Sequence, residues 1–484
     1  MSENKTVLKN KKDFNTTRET NLILDVLENT IKSLDSQKLI SESIKLNNES
    51  LEIHKKSIDL ENKNIFVVGA GKSVKGMAIA LEKILGNKIK NGWINGLDYQ
   101  KLEKLEKINF TKATYPYTSK TNINATTKMI NNLKKEISEK DIILFLLSDG
   151  ASSMLSLPVD EIPTEDFIEI NESLDKSNIE DSEMDKLRKH ISQIKGGKFS
   201  QMFENNMYTL IFSDVISGDA TVIGSTPTDY DKSTFQDASN IIKELKSKKL
   251  TVPKSVEKYI NEGLKGKHSE TLKTMPENSK LFVLGDQGSA LGKIEKYIRT
   301  KKLRYNIINL NKEYTDSNNT INEISELISS NMTNAEKKPI IFLSVGEPTI
   351  SLNEKSGKGG RNQHLVLLIA KKLCGLKTPW SVLSFNTEGN DSIDNVGGAI
   401  VDNKIVEEYM KNKEINSEEF IKIIDSSLEK QDSYTLLSEM KSIIESEHTG
   451  INFGDIFIGF LGADKVIKKK HGKYNKKNFK KRKK

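Results

Sequence analysis

Short apolar segments alternate with longer amphipathic ones along most of this chain. Asn64–Val68, Asp141–Leu147 and Tyr208–Phe212 are almost continuously apolar, and each runs into a turn rich in Gly, Ser or Asp. Val74–Leu85 and Thr126–Ile137 carry apolar residues at helical spacing. Strands that alternate with helices in this way predict an α/β fold with mostly parallel sheets.

The alternation continues in the second half of the chain. Leu281–Leu284, Pro339–Val345 and Trp380–Phe385 predict further strands, with helices at Ala290–Thr300 and His364–Leu373. A chain of 484 residues exceeds the usual size of one domain, so at least two are expected. Ligands of open α/β sheets bind at the carboxyl ends of strands, so two facing domains would gather the turns around one cleft.

A basic, glycine-rich loop lies between the strand at Pro339–Val345 and the following helix. Gly359 and Gly360 stand directly before Arg361, which opens the helix. Free N–H groups at the start of a helix bind anions, and a guanidinium is a planar fork for phosphate or carboxylate oxygens. The loop therefore predicts an oxyanion or phosphate site, for which the neighbouring candidates are Glu347, Asn362 and Gln363.

A second candidate loop, Gly69-Ala70-Gly71-Lys72-Ser73, follows the first strand. Lys72 at the first turn of a helix adds positive charge to an already positive helix end, which favours an anionic partner. The loop is not a P-loop, and Val74 stands where a dinucleotide fingerprint needs its third glycine. Gly69, Gly71 and Lys72 are therefore candidate ligand-binding positions, although a lysine that only lies along the surface is the alternative.

Three further turns carry candidate ligands. The turn after Asp141–Leu147 offers small residues and hydroxyl groups, and Lys195 precedes a Gly-Gly pair. The acids that follow the strands at Tyr208–Phe212 and Trp380–Phe385 suit Mg²⁺ or a substrate hydroxyl group, although a role in turn formation explains them equally well. The candidate ligand-binding residues here are Ser148, Gly150, Ser152, Ser153 and Lys195, and the candidate metal ligands are Asp214, Asp219 and Asp391.

Composition limits the compartment and the class of protein. No apolar run reaches the roughly 18 residues needed to span a bilayer, and the polar N-terminus lacks the apolar core of a secretory signal. Cys374 is the only cysteine, so no intramolecular disulfide can form. These features predict a cytoplasmic protein. Histidines and cysteines form no cluster that would indicate a zinc site.

The formal net charge of +8 is concentrated at the C-terminus. Residues 465–484 contain eleven Lys and one Arg without an acid, and the rest of the chain then has a net charge of −4. The body is therefore not a basic nucleic-acid binder, whereas 465–484 predicts a disordered Lys-rich tail. Such a tail can bind RNA, DNA or another polyanion weakly and without sequence preference. Residues 1–15 similarly predict a disordered lead.

The loops resemble those of the type-2 glycerate kinases, also called the MOFRL family. Gly357–Gln363, GKGGRNQ, resembles the signature of that family's second domain, and the other matching stretches occur in the family's order over roughly residues 16–462. These stretches are Gly71-Lys72, Ser148–Leu155, Arg188–Gly197, Ser213–Asp219 and Thr387–Ala399. The sequence also departs from the family pattern, for example at Asp149 and Ser392, where the family has glycine.

The resemblance implies two Rossmann-like domains with mostly parallel sheets and an active site in the cleft between them. The implied domains are a DUF4147-like N-terminal glycerate kinase domain at 16–265 and a MOFRL-like domain at 266–464. The implied reaction is ATP-dependent phosphorylation of D-glycerate, or of a close hydroxy acid, at the 2-hydroxyl group, with Mg²⁺ and with 2-phosphoglycerate as product. Lys72 and Arg361 match the family's proposed catalytic pair, and phosphoryl transfer depends mainly on such charge stabilisation.

Two other functions stay open at this point. Relatives of the family have been labelled hydroxypyruvate reductases, although the incomplete fingerprint at Gly69–Val74 argues against nicotinamide binding. A non-catalytic descendant that binds polyanions through its tail is the other alternative, favoured by the replaced glycines and disfavoured by the presence of Lys72 and Arg361. The sequence does not predict an oligomeric state.

Overall fold

The structure is a computed structural model that describes residues 7–14, 16–98, 102–213, 220–301, 305–310, 323–324, 326–328, 330–331, 338–350 and 356–462. Residues 1–6 and 15 of the predicted lead, the predicted tail and two of the candidate metal ligands, Asp214 and Asp219, lie outside the described residues. The described part of the lead, residues 7–14, contains a short 3-10 helix at Lys11–Phe14, and Leu8 and Phe14 are buried in the core. No helix in the described part of the chain is both long and apolar enough to cross a membrane.

The first large sheet has six parallel strands in the order β6-β5-β4-β7-β8-β9. Its order reverses between the neighbours β4 and β7, as in doubly wound nucleotide-binding sheets. Every residue of β4, β7 and β8 is buried, which agrees with their apolar sequences. The strands are β4 Ile65–Gly71, β5 Ile89–Gly96, β6 Ile108–Lys112, β7 Ile142–Leu147, β8 Met207–Phe212 and β9 Ser279–Gly285.

Helices connect the strands of this sheet or form a layer beside it. The helix that follows β4 contains the apolar run Val74–Leu85, and it packs against β5 and β4. These helices are α3 Val74–Leu85, α4 Lys120–Glu136, α5 Ala151–Met154, α6 Thr164–Asp175, α7 Asp181–His190, α8 Lys198–Gln201, α9 Phe235–Ser247 and α10 Lys254–Leu264.

The second large sheet also has six strands, in the order β10-β11-β15-β12-β13-β14. Its strands are β10 Asn306–Asn309, β11 Ile340–Gly346, β12 Trp380–Asn386, β13 Val396–Asp402, β14 Ile443–Glu445 and β15 Asp455–Leu461. Its described helices are α11 Gln287–Thr300, α12 Arg361–Leu373, α13 Asn403–Lys413, α14 Ser417–Glu429 and α15 Ser433–Glu439.

The two sheets confirm the predicted α/β class, but the second is mixed. Only β10 and β11 pair in parallel, whereas the other four described pairs are antiparallel. The difference from the predicted mostly parallel arrangement has a topological cause. No helix separates β12 from β13, and strands joined by a short connection pair antiparallel. β15 then inserts between β11 and β12, antiparallel to both.

The N-terminal helices link the two sheets. α1, Arg18–Ser33, packs against β12 and β15 of the second sheet, and α2, Ser36–Ser43, packs against α3 and β9 of the first. Thr20 Oγ1 donates to Asp402 Oδ2 over 2.5 Å, which fixes α1 against the second sheet. A small antiparallel sheet at 44–59, which hydrophobic periodicity does not predict, consists of β1 Ile44–Asn47, β2 Ser50–Ile53 and β3 Lys56–Asp59.

The last strand of the first sheet comes after the border predicted at residues 265/266. β9 pairs with β8, so the first sheet uses the chain up to Gly285. α1 precedes the first large sheet in the sequence, yet it packs against the second sheet. Contacts of this kind cross the predicted domain border in both directions, and the domain borders stay predictions.

Candidate active site

Two adjoining cavities lie where loops from the two large sheets meet. The larger has a volume of about 600 Å³ and is lined by Lys72, Arg361 and the glycine-rich loop before α12. The smaller has a volume of about 380 Å³ and is lined largely by the turn after β7 and by α7. Tyr115, Asp149 and Asp181 line both cavities. The loops that follow β4 and β7 lie at the point where strand order reverses, which is where open α/β sheets bind ligands.

Glycine is required at two positions of the turn that carries Lys72. Gly69 has a φ of +154°, and a Cβ atom there would lie 2.1 Å from the carbonyl oxygen of Leu146. At Gly71, with φ +139°, a Cβ atom would lie 2.2 Å from Ser148 Oγ. Both glycines therefore allow β4 and its turn to approach β7 closely. Their role is to position Lys72.

Lys72 is held by two carboxylates that line the larger cavity, Asp149 and Glu388. Its Nζ lies 2.7 Å from Asp149 Oδ2 and 3.1 Å from Glu388 Oε2, and its side chain is 7% exposed. Its backbone N–H donates to the carbonyl oxygen of Asp149 over 2.8 Å. Burial alone would lower the pKa of Lys72, but the two carboxylates raise it above its usual value. Lys72 therefore stays an ammonium ion at neutral pH.

Tyr115 covers the ammonium group of Lys72. Nζ lies 4.3 Å from the centre of the tyrosine ring, within the range of a cation–π interaction. Burial and the neighbouring carboxylate of Asp149 raise the pKa of Tyr115 to about 12, so the phenol stays neutral. Tyr115 was not among the predicted site residues, because nothing in the local sequence indicates that its ring meets Lys72.

Arg361 is the first residue of α12 and forms a bidentate pair with Asp455. Its Nε donates to Asp455 Oδ2 over 2.5 Å and its Nη2 donates to Asp455 Oδ1 over 3.0 Å. Nη2 also lies 3.2 Å from Glu347 Oε1. Burial raises the pKa of Asp455 above its usual range, although the guanidinium opposes this effect. Lys72 and Arg361 are thus held in the same way, because each contacts two carboxylates.

Asp391 caps the helix that Arg361 opens. Its Oδ1 accepts from the backbone and side-chain nitrogens of Asn362, at 3.1 and 3.0 Å. Its Oδ2 accepts from the corresponding nitrogens of Gln363, at 3.1 and 3.0 Å. Asp391 is 2% exposed, and Asn362 and Gln363 are fully buried. Hydrogen bonds among these three residues therefore hold the loop in place. Because it accepts from four N–H donors at the start of α12, Asp391 caps this helix.

The glycines before Arg361 allow this close packing. A Cβ atom at Gly360 would lie 2.2 Å from the carboxyl carbon of Asp391, and one at Gly359 would lie 2.2 Å from Ser433 Oγ. Neither position has room for a side chain. The loop is therefore pressed against the turn after β12 and the start of α15, and its backbone lines the larger cavity.

Lys195 connects three loops around the smaller cavity. Its Nζ donates to Ser152 O, Ser152 Oγ and Ser225 Oγ over 2.7, 3.0 and 3.1 Å. Ser225 Oγ in turn donates to Asp185 over 2.9 Å. Lys195 is 2% exposed, and burial lowers its pKa to about 7. The hydrogen bonds of Nζ link its own loop to those of Ser152 and Ser225, and so position the turn at Ser152.

The remaining predicted residues of the turn after β7 have local partners. Ser148 Oγ accepts from the backbone N–H of Ser73 over 3.0 Å, at the start of α3. Gly150 has a φ of +78° and precedes α5, and Ser153 Oγ donates to the carbonyl oxygen of Gly150 over 3.3 Å. All of them line the smaller cavity together with Ser152. The structure thus brings the predicted residues of this turn to one cavity.

Acids of the site do not form a metal centre by themselves. Within the described residues, no group of three or more His, Cys, Asp or Glu side chains could hold a metal ion. The carboxylates that sequence reasoning left out are Glu388 and Asp455, the partners of the two cations. Glu388 lies in the acidic turn after β12, which gave a signal, whereas Asp455 begins an apolar strand and gave none.

Comparison with known proteins supports the interpretation of these loops. The family model described as domain of unknown function DUF4147 matches residues 22–261, and the MOFRL family model matches residues 340–455. Glycerate 2-kinase of Pyrococcus horikoshii is 29% identical over 399 residues, which cover 82% of this chain and 87% of that protein. D-glycerate 2-kinase of Thermotoga maritima is 28% identical over 404 residues, covering 82% and 90%.

A solved structure has the same fold. The crystal structure of a protein from Pyrococcus horikoshii OT3 superimposes with a TM-score of 0.77 at 26% identity, and covers 92% of this chain and 99% of that one. Both family models match the regions that contain Lys72 and Arg361, and the resemblance found in the sequence is confirmed. The chain belongs to the type-2 glycerate kinase family, with a DUF4147 match in its first half and a MOFRL match in its second.

Proposed function

We propose that this chain transfers the γ-phosphoryl group of ATP to the 2-hydroxyl group of D-glycerate and releases 2-phosphoglycerate. The observation that carries the proposal is that Lys72 and Arg361, 289 positions apart in the sequence, line one cavity between loops of the two sheets. Relatives named glycerate 2-kinase support the choice of substrate.

Lys72 and Arg361 are proposed to stabilise the negative charge that moves during phosphoryl transfer. Such catalysis is mainly positioning and charge stabilisation, so two fixed cations facing one cavity suit it. Asp149 fixes the position of Lys72, to which it is also bound through the backbone. The well-buried Asp455 fixes the position of Arg361. The second partners, Glu388 and Glu347, are 20% and 32% exposed and are the ones that an anionic substrate would replace.

The other predicted residues are proposed to shape the site around these cations. The backbone at Gly359 and Gly360 would contact a phosphate or carboxylate, because it lines the larger cavity. Gly69, Gly71, Asn362 and Gln363 would act indirectly by placing the two cations. The hydroxyl groups and backbone of Ser148, Gly150, Ser152 and Ser153, supported by Lys195, would line the donor's path.

Mg²⁺ is proposed to reach the site with the nucleotide. Mg²⁺ is usually bound through one or two carboxylates together with substrate phosphates and water. Asp149 and Glu388 line the larger cavity and are oxygen ligands of the required kind. Within the described residues no complete metal centre exists, so phosphate oxygens would have to supply the remaining ligands. Bound there, Mg²⁺ would neutralise charge on the phosphates. Asp214 and Asp219, outside the described residues, stay predicted ligands.

The hydrogen bonds at the start of α3 argue against the reductase alternative. A dinucleotide pyrophosphate binds to free N–H groups at this point of a Rossmann sheet. Here the N–H of Lys72 donates to Asp149 O and that of Ser73 donates to Ser148 Oγ. Polyanion binding by the tail depends on residues outside the described ones and stays a prediction.

A coupled assay of ADP release over a panel of hydroxy acids, each with and without Mg²⁺, tests the proposed reaction. D-glycerate should give the highest kcat/KM, and an enolase-coupled assay should detect 2-phosphoglycerate directly. A matched panel with nicotinamide cofactors and hydroxypyruvate tests the alternative. Absence of ADP release with every hydroxy acid would refute the proposed function.

A further inference from the structure

The residues that line the smaller cavity differ in charge and chemistry from those that line the larger one. Its volume of about 380 Å³ is within the range of about 300–1,000 Å³ that is usual for small-molecule sites. It opens beside the turn after β7, at the carboxyl ends of the strands of the first sheet, and meets the larger cavity at Tyr115 and Asp149. A ligand that occupied both would therefore pass Lys72.

The cations of the smaller cavity are already balanced. Arg188 Nη2 donates to Asp175 Oδ1 over 2.5 Å, and Nη1 lies 3.5 Å from Asp181 and 3.8 Å from Asp185. Lys195 is not part of the lining, and it directs its three described hydrogen bonds to Ser152 and Ser225. Within the described lining, acids therefore outnumber bases, and an incoming phosphate or carboxylate group would be repelled.

The same lining suits a neutral ligand that carries hydroxyl and amino groups. Carboxylates accept hydrogen bonds from ribose hydroxyl groups in nucleotide-binding sheets. Tyr115 is 41% exposed, its ring has Lys72 Nζ 4.3 Å from its centre, and it lies beside Gly150, where an added Cβ would be 3.3 Å from the ring. An exposed aromatic ring can stack on any nucleobase, since every base has a π-face.

We propose that the smaller cavity binds the nucleoside part of the phosphate donor, and that the hydroxy acid and the transferred phosphoryl group occupy the larger cavity. This assignment rests on the proposed kinase function, and it adds the direction in which the donor lies. The base and ribose lie towards α7, and the phosphates extend past Tyr115 to Lys72 and Arg361.

Two rim substitutions test the assignment in opposite directions. Ser182 lines the smaller cavity and Thr349 lines the larger one, and both are exposed, so a bulky side chain at either is compatible with folding. In the full chain, Ser182→Trp should raise the Kd of ADP and of adenosine, and the KM of ATP, by about tenfold or more. The KM of D-glycerate should stay unchanged. Thr349→Trp is the matched control and should raise the KM of D-glycerate while adenosine binding stays unchanged.

Calorimetric titration with adenosine separates this inference from the proposed function, because adenosine has no phosphate and needs no turnover. Adenosine binding that Ser182→Trp removes would support the nucleoside cavity even if no hydroxy acid were phosphorylated. Normal turnover combined with unchanged ADP and adenosine binding in Ser182→Trp would overturn the inference and leave the kinase function intact. A selective increase in the KM of D-glycerate in Ser182→Trp would likewise overturn it and assign the cavity to the acid.

Discussion

Lys72 Nζ lies 3.1 Å from Glu388 Oε2, so an ion pair joins the turn after β4 of the first sheet to the turn after β12 of the second. The two residues are 316 positions apart. The contact places a cation from one half of the chain against a carboxylate from the other, inside the cavity proposed for phosphoryl transfer. Opening of this cleft would therefore change the position of the proposed catalytic lysine.

Lys72→Ala is expected to lower kcat/KM for D-glycerate by about 10²–10³, the usual loss when one preorganised transition-state donor is removed. Lys75→Ala is the matched control, because Lys75 lies one helical turn away and pairs with the exposed Asp98 over 2.5 Å. That variant should retain normal activity. Near-normal turnover of a folded Lys72→Ala protein, measured by ADP release, would remove Lys72 from the mechanism.

Arg361→Ala is expected to lower both activity and stability. It leaves Asp455, whose side chain is 2% exposed, buried without its cation, and breaking a buried pair from one side costs about 3–5 kcal/mol. The position of Arg361 in a loop-to-helix turn would by itself predict little effect on folding, and the buried partner gives the reason to expect a loss of stability. Urea denaturation measures this loss.

The double variant Arg361→Ala/Asp455→Asn separates the two effects of Arg361. It removes the unpaired carboxylate and should recover most of the free energy of unfolding, while the rate of ADP release stays low. Recovery of both quantities would show that Arg361 serves only to neutralise Asp455.

Lys195→Met is expected to change the pH dependence of stability. Burial lowers the pKa of Lys195 to about 7 in the folded chain, against 10.5 for a lysine exposed to solvent. Between these values the unfolded chain binds more protons, so this group makes stability rise with pH from about 7 to about 10.5. The difference in free energy of unfolding between wild type and Lys195→Met should therefore shift in favour of the wild type as pH rises from 7 to 9. A pH-independent difference would contradict the lowered pKa.

Asp391→Ala is expected to destabilise α12 by about 1–2 kcal/mol or more, since a helix N-cap alone contributes that amount. If Asp391 acts as the cap, Asp391→Asn should lose less stability and should leave the Mg²⁺ concentration for half-maximal activity unchanged. A strong increase in that concentration in a folded Asp391→Asn protein would instead support the metal role that the sequence predicts.

Truncation after Asp464 is expected to abolish retention on heparin while leaving kinase kinetics unchanged. The removed segment carries twelve positive charges, and the remainder has a net charge of −4. Retention of the full chain should weaken steeply with added salt, because binding by counterion release depends on ionic strength. Equal retention of both proteins would refute an electrostatic role for the tail.

Local sequence patterns were enough to predict the α/β class and the strand–turn–helix units, and they pointed to Lys72 and Arg361 as candidate site residues. Apolar runs such as Asp141–Leu147 have few alternatives to a buried strand, and the glycines before Lys72 and Arg361 mark turns where backbones approach closely. These are local properties, because each depends on residues a few positions apart. The ordered loops also carried the family resemblance.

Which carboxylates pair with Lys72 and Arg361, and which groups the acids contact, became visible only in the folded chain. Asp455 begins an apolar strand, and nothing local indicates that β15 inserts beside β11 and brings its carboxylate to Arg361. An acid after a strand suits either a metal site or a cap, and only the structure shows that four N–H donors to Asp391 come from α12, while its metal role stays a prediction. The mixed second sheet and the placement of α1 on it likewise depend on long-range pairing, which hydrophobic periodicity does not encode.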